Sequence, residues 1–437
     1  MQPKLPLLPP GAQNESVFTF DQSRGTGFGK QEVEAHPAII PGLLSRFVKT
    51  YTIPMRGLSK RVQALKPSST VAMNAKALEL RRQGIDVIAL TAGEPDFDTP
   101  DHIKEAAWRA LKEGKTKYTP PAGIPELREA LARKFARENG LSYTPDQITV
   151  GVGGKGVLYN LFQAILDPGD EVVLIAPYWV SYAAQVELAG GVPVVVQTEA
   201  EAGFVPDPEA VAAALTPCTR ALVVNSPSNP TGAVYPEEVL RALAELAQKH
   251  DFYLVSDEIY EHLVYQGAHF SPGRVAPEHT ITVNGVAKTY AMTGWRLGYA
   301  AGPKDVIQAM TKIQGQSVTH PTSFVQWAVV EALESEKSQA FIRMAREAFD
   351  RRRRLIVEGL RALGLKTPEP KGAFYVMPDV TPIHEDELKA GEILLERARV
   401  AVVPGTDFKA PGHVRMSYAT SEENLKEALR RIGTLLG

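Results

Sequence analysis

The chain has 437 residues, a formal net charge of −2 and 44% hydrophobic residues. That length allows two to three domains, or one large domain with a smaller one attached, the near-neutral charge leaves no electrostatic footprint for nucleic acid, and no apolar run approaches the ~20 residues a membrane helix needs. Cys218 is the single cysteine, so a disulfide framework within one chain is excluded and a reducing, cytoplasmic setting is the simplest expectation.

Residues 1–54 are rich in proline and glycine, as in Leu5-Pro6-Leu7-Leu8-Pro9-Pro10-Gly11, and show little periodicity. They lack the apolar core and small-residue cleavage site of a signal peptide. A disordered extension ahead of Met55 is expected. From Met55 onward helical and strand patterns alternate. Val71 to Gln83 predicts a helix stopped by Gly84. Thr99-Pro100 opens a second, ending near Gly114, and Pro125 a third, ending at Asn139-Gly140. Short apolar runs follow at 148–150, 171–175, 221–224, 252–255 and 281–283, separated in most cases by helical patterns at 155–166, 179–189 and 236–249. Such runs between helices predict a mostly parallel sheet covered on both faces. Beyond about residue 340, a long helix precedes shorter strands and a final helix. His262, His269 and His279 lack metal-ligand spacing, so isolated surface or packing roles and no metal site are expected. The run Arg351 to Arg354 reads as a solvated helix face.

In open α/β sheets, ligands bind beyond the carboxyl ends of the strands. After 252–255 comes Ser256-Asp257-Glu258-Ile259-Tyr260. Taken alone, Asp257 reads as a helix N-cap, although a carboxylate there can also pair with a cationic ring nitrogen. After 221–224 comes Asn225-Ser226-Pro227-Ser228-Asn229-Pro230-Thr231-Gly232, a rigid turn that aims Asn229. After 281–283 comes Asn284-Gly285-Val286-Ala287-Lys288, then Thr293-Gly294-Trp295-Arg296-Leu297-Gly298. Small residues before Lys288 leave room for a bulky group, and a desolvated lysine can form a Schiff base. Arg296 offers a guanidinium suited to phosphate. After 148–150, Gly151-Val152-Gly153-Gly154-Lys155-Gly156 matches the dinucleotide G-x-G-x-x-G spacing. The acid that a ribose needs after the next strand is missing, since Ala176-Pro177-Tyr178 stands there. Phosphate binding at a helix N-terminus remains.

Together these motifs resemble the class I aminotransferases, the fold-type I pyridoxal-phosphate enzymes, and within them the bacterial aspartate/prephenate subgroup. The resemblance runs from Met55 to Gly437. It implies a large, mostly parallel α/β/α domain and a smaller α/β domain built from both chain ends. The expected division is an N-terminal segment with part of the small domain at 55–100, a pyridoxal-phosphate domain at 101–340 and a C-terminal small domain at 341–437. Lys288 is implied as the Schiff-base lysine and proton shuttle, and Asp257 as the partner of the pyridinium nitrogen. Tyr260 and Asn229 are implied at the phenolic oxygen, with Trp179 stacked on the ring. Gly153, Gly154, Lys155 and Arg296 are implied around the phosphate. Tyr118 of a partner subunit is implied there too, in a homodimer with shared active sites. Arg415 and Gly93 are implied at the substrate α-carboxylate with Asn229, and Thr70 and Lys155 at the distal carboxylate. Gly156 stands where close relatives carry glutamine, and the Asn284-Gly285 pair replaces a serine-bearing version. The implied reaction takes L-aspartate and 2-oxoglutarate, with prephenate as a second acceptor and with no nucleic-acid or membrane partner.

Overall fold

The computed structural model describes residues 57–65 and 69–437; the expected extension 1–54 lies outside the described residues, and so does the side chain of Thr70. Strand β1 (Ile88–Ala89) opens the sheet structure. Seven strands then form the main sheet: β2 (Ile148–Gly151), β3 (Glu171–Ile175), β4 (Val192–Val196), β5 (Thr219–Asn225), β6 (Tyr253–Asp257), β7 (Thr280–Gly285) and β8 (Gly298–Ala301). Their order is β2-β8-β7-β6-β5-β3-β4. All pairings are parallel except those of β8 with β7 and β2. The sheet is therefore mostly parallel, as the apolar runs predict.

Side chains alternate across a strand. Val172 and Leu174 of β3 enter one core with Val157, Leu161 and Phe162 of the helix Gly153–Ile165. Val173 and Ile175 enter the opposite core with Leu240 and Leu243 of the helix Glu237–His250. Both faces are covered, which is why these strands read as continuous apolar runs. Strands β4 and β8 escape the sequence reading. Pro193 interrupts β4 at the sheet edge, and β8 is Gly-Tyr-Ala-Ala with no β-branched residue.

The later segment adds β9 (Tyr375–Val376), β10 (Val400–Ala401), β11 (Val403–Pro404) and β12 (Val414–Ser417). Strand β10 pairs with β1, and β12 lies between β11 and β9. These small sheets pack on the helices Glu336–Ala362 and Glu422–Leu436 through Ile356, Leu360, Leu425 and Ile432. The run Arg351 to Arg354 is only partly a solvated face. Arg353 is buried and pairs with Asp350 and Glu369, and Arg352 holds Asp96. Among the described residues, no helix is long and apolar enough to cross a membrane.

Two histidines also depart from expectation. His262 and His269 join a buried polar cluster rather than standing isolated. Lys134, only 1% exposed, pairs with Glu261 and donates to Asn139 Oδ1 at 2.8 Å. Asn139 donates to Glu258 and Glu261, His269 Nε2 lies 2.9 Å from Glu258, and His262 Nε2 lies 3.1 Å from Glu138. His279 alone matches the surface role, beside exposed Asp251. The cluster anchors the segment that carries Asp257 and Tyr260. Burial by itself would lower the His269 pKa, but the carboxylates of Glu258 and Glu261 outweigh it and hold it above the ordinary value. A raised folded-state pKa gives stability that is complete below the unfolded value, about 6.5, and is lost as pH rises through the folded value. His269→Gln should therefore destabilise the fold by about 1–3 kcal/mol near pH 6. The deficit relative to wild type should shrink in more alkaline buffer. Urea midpoints of both proteins across that range check this; a deficit independent of pH contradicts it.

Candidate active site

Strand β2 is antiparallel to β8, and β8 to β7, so β2 runs with the parallel strands. The carboxyl ends of β2, β3, β5, β6 and β7 thus share one edge of the sheet. Asn225 of β5 is in register with Asp257 of β6, and Asp257 with Val283 of β7. Gly285 and Gly151 both face Gly298. The loops leaving this edge enclose a cavity of about 270 Å³ with Tyr375 and Arg415 on its wall.

The amine of Lys288 lines this cavity and donates to the Gly93 carbonyl. Burial pushes its pKa down to about 8; Arg415 and Arg296 act in the same sense, against Glu94 and Asp257. Asp257 ends β6, and no helix starts there, so the N-cap reading fails. Its carboxylate instead accepts from Tyr182 Oη (2.6 Å) and from the Ile259 N–H (3.3 Å). Burial raises its pKa to about 6 against these two donors. Asn229 is held by its own N–H on Asn225 Oδ1 (2.8 Å), while Asn225 Nδ2 donates to the Asp257 carbonyl (2.9 Å). Tyr260 is buried, with its hydroxyl 2.9 Å from that of Tyr375.

The helix Gly153–Ile165 points its N-terminus at the same edge. Gly153 has φ +71°, and a Cβ there would stand 2.7 Å from Arg296 Nη2. Glycine is therefore what lets the guanidinium lie against the start of this helix, whose first-turn N–H groups have no intrahelical acceptors. Arg296 itself is fixed by a bond from Nη1 to the Thr293 carbonyl (2.8 Å). The Lys155 amine lies 5.0 Å from the centre of the Trp179 ring. Burial and then Arg296 lower its pKa.

Arg415 is 2% exposed. It donates from Nη1 to Asn229 Oδ1 (3.0 Å) and from Nη2 to the Thr91 carbonyl (2.9 Å). Its Nε is buried without a partner, and no carboxylate among the described residues pairs with it. Tyr118 is expected to reach the phosphate only from a partner subunit. Tyr118 is 88% exposed and outside the cavity, its ring against His320. Thr70 lies in the first turn of the helix Ser69–Arg82, whose next residue, Val71, lines the cavity, but its side chain is outside the described residues. Among the cavity residues that sequence did not single out, three carry polar contacts within the site: Tyr182, Asn225 and Tyr375. Asn225 had a signal, since it opens the turn that aims Asn229. Tyr182 and Tyr375 had none, because nothing local marks an apolar aromatic that meets its partner only through the fold.

Comparison with known proteins places this geometry. A family model described as aminotransferase class I and II matches residues 85–432. The chain is 70% identical over 384 residues to the aspartate/prephenate aminotransferase of Thermus thermophilus, spanning 88% of this chain and 100% of that protein. It is 47% identical over 385 residues to the aspartate aminotransferase of Bacillus subtilis, spanning 86% and 98%. A solved structure of the aspartate aminotransferase from Thermus thermophilus with maleate superposes with a TM-score of 0.86 at 70% identity, over 87% of this chain and 100% of that one. With a mostly parallel seven-stranded sheet, a lysine after β7 and a family match across residues 85–432, the chain belongs to the class I and II aminotransferase family and has the fold of the fold-type I pyridoxal-phosphate transferases.

Proposed function

We propose that this chain is a pyridoxal-phosphate transaminase that passes the amino group of L-aspartate to 2-oxoglutarate, forming oxaloacetate and L-glutamate, with prephenate as a further acceptor that yields arogenate. The observation that carries the reading is Arg415, a buried guanidinium with no carboxylate partner among the described residues, in one cavity with a lysine amine whose pKa burial lowers to about 8. A buried cation of this kind suits an anionic ligand. The names of the Thermus and Bacillus relatives supply the dicarboxylate substrate class.

The residues present fit the cofactor. The glycine cradle at Gly153 and Gly154 with Arg296 suits a phosphate, the Asp257 carboxylate suits a protonated ring nitrogen, and Trp179 offers a ring face. When bound, pyridoxal phosphate supplies an aldehyde that condenses with amines and a ring that withdraws electrons from the substrate α-carbon. Asp257, largely ionised at neutral pH, holds a proton on the ring nitrogen. Asn229 and Tyr260 bind the phenolic oxygen. Arg415 grips the α-carboxylate with Asn229 and the Gly93 backbone, which orients the α C–H bond. Lys288 Nζ removes the α-proton, a task suited to an amine whose pKa lies near the working pH. Lys155 and Thr70 receive the distal carboxylate. The exposed Tyr118 suits a homodimer in which it reaches the partner's phosphate site. The division into domains at 101–340 and 341–437 fits the main sheet and the small sheets. The lone Cys218 fits a reducing cytoplasm.

The test is the absorbance spectrum of the purified protein with L-aspartate alone. The band of lysine-linked cofactor should convert to the amine form and return on addition of 2-oxoglutarate or prephenate, as ping-pong kinetics require. No cofactor band after added pyridoxal phosphate would sink the reading; a band that no amino donor converts would leave the cofactor and remove the transamination.

A further inference from the structure

Tyr375 sits where three separately delivered parts of the cavity meet. It belongs to β9, opposite Ser417 of β12 in an antiparallel pair. Arg415 is two residues before Ser417, so it shares that face and is the diagonal neighbour of Tyr375. The Arg415 guanidinium accordingly lies 4.6 Å from the centre of the Tyr375 ring, with Phe408 also near it at 5.1 Å. The Tyr375 hydroxyl reaches the Tyr260 hydroxyl at 2.9 Å, and among the described residues Tyr260 Oη has no other hydrogen-bond partner. The same hydroxyl is what a Cβ on Gly93 would meet, at 3.1 Å, with nothing else within 4 Å. Tyr375 is completely buried, and burial holds its phenol above the ordinary pKa, so it stays a neutral donor through the working range.

We propose that Tyr375 is a positioning residue that ties the Tyr260 hydroxyl to the Arg415 guanidinium, its hydroxyl directing Tyr260 and its ring setting the plane of Arg415. A phenol carries one proton and accepts at its oxygen. When Tyr375 donates to Tyr260, the Tyr260 proton is free to point into the cavity. The ring beneath Arg415 holds a cation that has no carboxylate to hold it. One side chain thereby couples the cofactor end of the site to the substrate end. The inference rests on the transaminase reading and adds a residue to it.

Two variants separate the two roles. Tyr375→Phe keeps the ring and removes the hydroxyl. In the holoenzyme, the pH midpoint of the lysine-linked cofactor band should rise by about 0.5–1 unit, the scale of one neutral hydrogen bond. The direction follows because a weaker donor leaves more negative charge on the phenolic oxygen, which favours the protonated nitrogen beside it. The KM for L-aspartate should change less than about threefold. Tyr375→Leu also removes the ring, and that KM should rise about tenfold or more. A third measurement does not depend on the leucine variant folding. Gly93→Ala should raise the KM in the wild-type background and do so at least about threefold less in Tyr375→Phe, where the obstructing oxygen is gone. A midpoint within about 0.2 unit of wild type in Tyr375→Phe, or equal KM values for the phenylalanine and leucine variants, overturns the proposal. So does an equal Gly93→Ala effect in both backgrounds. A wild-type protein without a cofactor band fails earlier and takes the functional reading down with it.

Discussion

Lys288→Ala is expected to lower kcat by at least about 10⁴-fold, the upper range for a positioned general base, because in the proposed mechanism the same Nζ would also carry the covalent link to the cofactor. Pyridoxal phosphate should still be taken up, since Arg296, the Gly153–Gly154 turn and Asp257 are untouched. Borohydride reduction followed by mass spectrometry distinguishes the two states: wild type should gain the cofactor mass irreversibly, and the alanine variant should not. The fold has little reason to suffer. Lys288 is a half-buried amine whose pKa is already pushed down to about 8, so it contributes desolvation cost rather than a strong ion pair. An alanine variant with the parental rate would remove Lys288 from the mechanism altogether.

The parts of this site that were legible in the sequence are those delivered by consecutive residues. Lys288 and Arg296 stand eight apart on the loop between β7 and β8, and Gly153 and Gly154 open a helix directly after β2. Strand ends and glycine turns leave local marks of this kind. Asp257 shows the limit of local reading. An aspartate after a strand looks like a helix cap, and only the Tyr182 hydroxyl, arriving from the helix Ser181–Leu188, shows that its carboxylate faces a buried cavity. The cluster of Lys134, Glu258, Glu261 and His269 was illegible for the same reason. Its members are spread over 136 positions, 134 to 269, and each alone looks like a surface charge. Arg353 misled in the opposite direction, since four consecutive arginines suggest solvent, yet helical geometry turns one of them inward onto Glu369. Strand β8 was missed because its small residues serve close approach rather than β-propensity: a side chain on Gly298 would collide with the backbone of Gly153 and Gly154.

Arg415→Leu should divide stability from activity. Removing one partner of a buried, hydrogen-bonded charge contact costs about 2–5 kcal/mol in binding. At about 1.4 kcal/mol per tenfold, kcat/KM for L-aspartate should fall roughly 30- to 4,000-fold. Arg415→Lys should recover only part of this, because an ammonium cannot reproduce the two-pronged contact of a guanidinium. Stability should behave otherwise. Free Arg415 bears a desolvation cost that no carboxylate among the described residues offsets, and burial lowers its pKa accordingly. Replacing such a buried cation with an apolar side chain of similar volume is often neutral or stabilising. Against this stands the loss of the bonds to Asn229 and Thr91. The melting temperature of the leucine variant should therefore stay within a few degrees of wild type, or rise. A dicarboxylate ligand should raise the melting temperature of wild type and leave that of the variant unmoved. An arginine that only held β12 in place would give the reverse pattern: a lower melting temperature, with ligand stabilisation intact in the molecules that remain folded. Thermal scans of both proteins, with and without the dicarboxylate, decide between a clamp waiting for an anion and a brace within the fold.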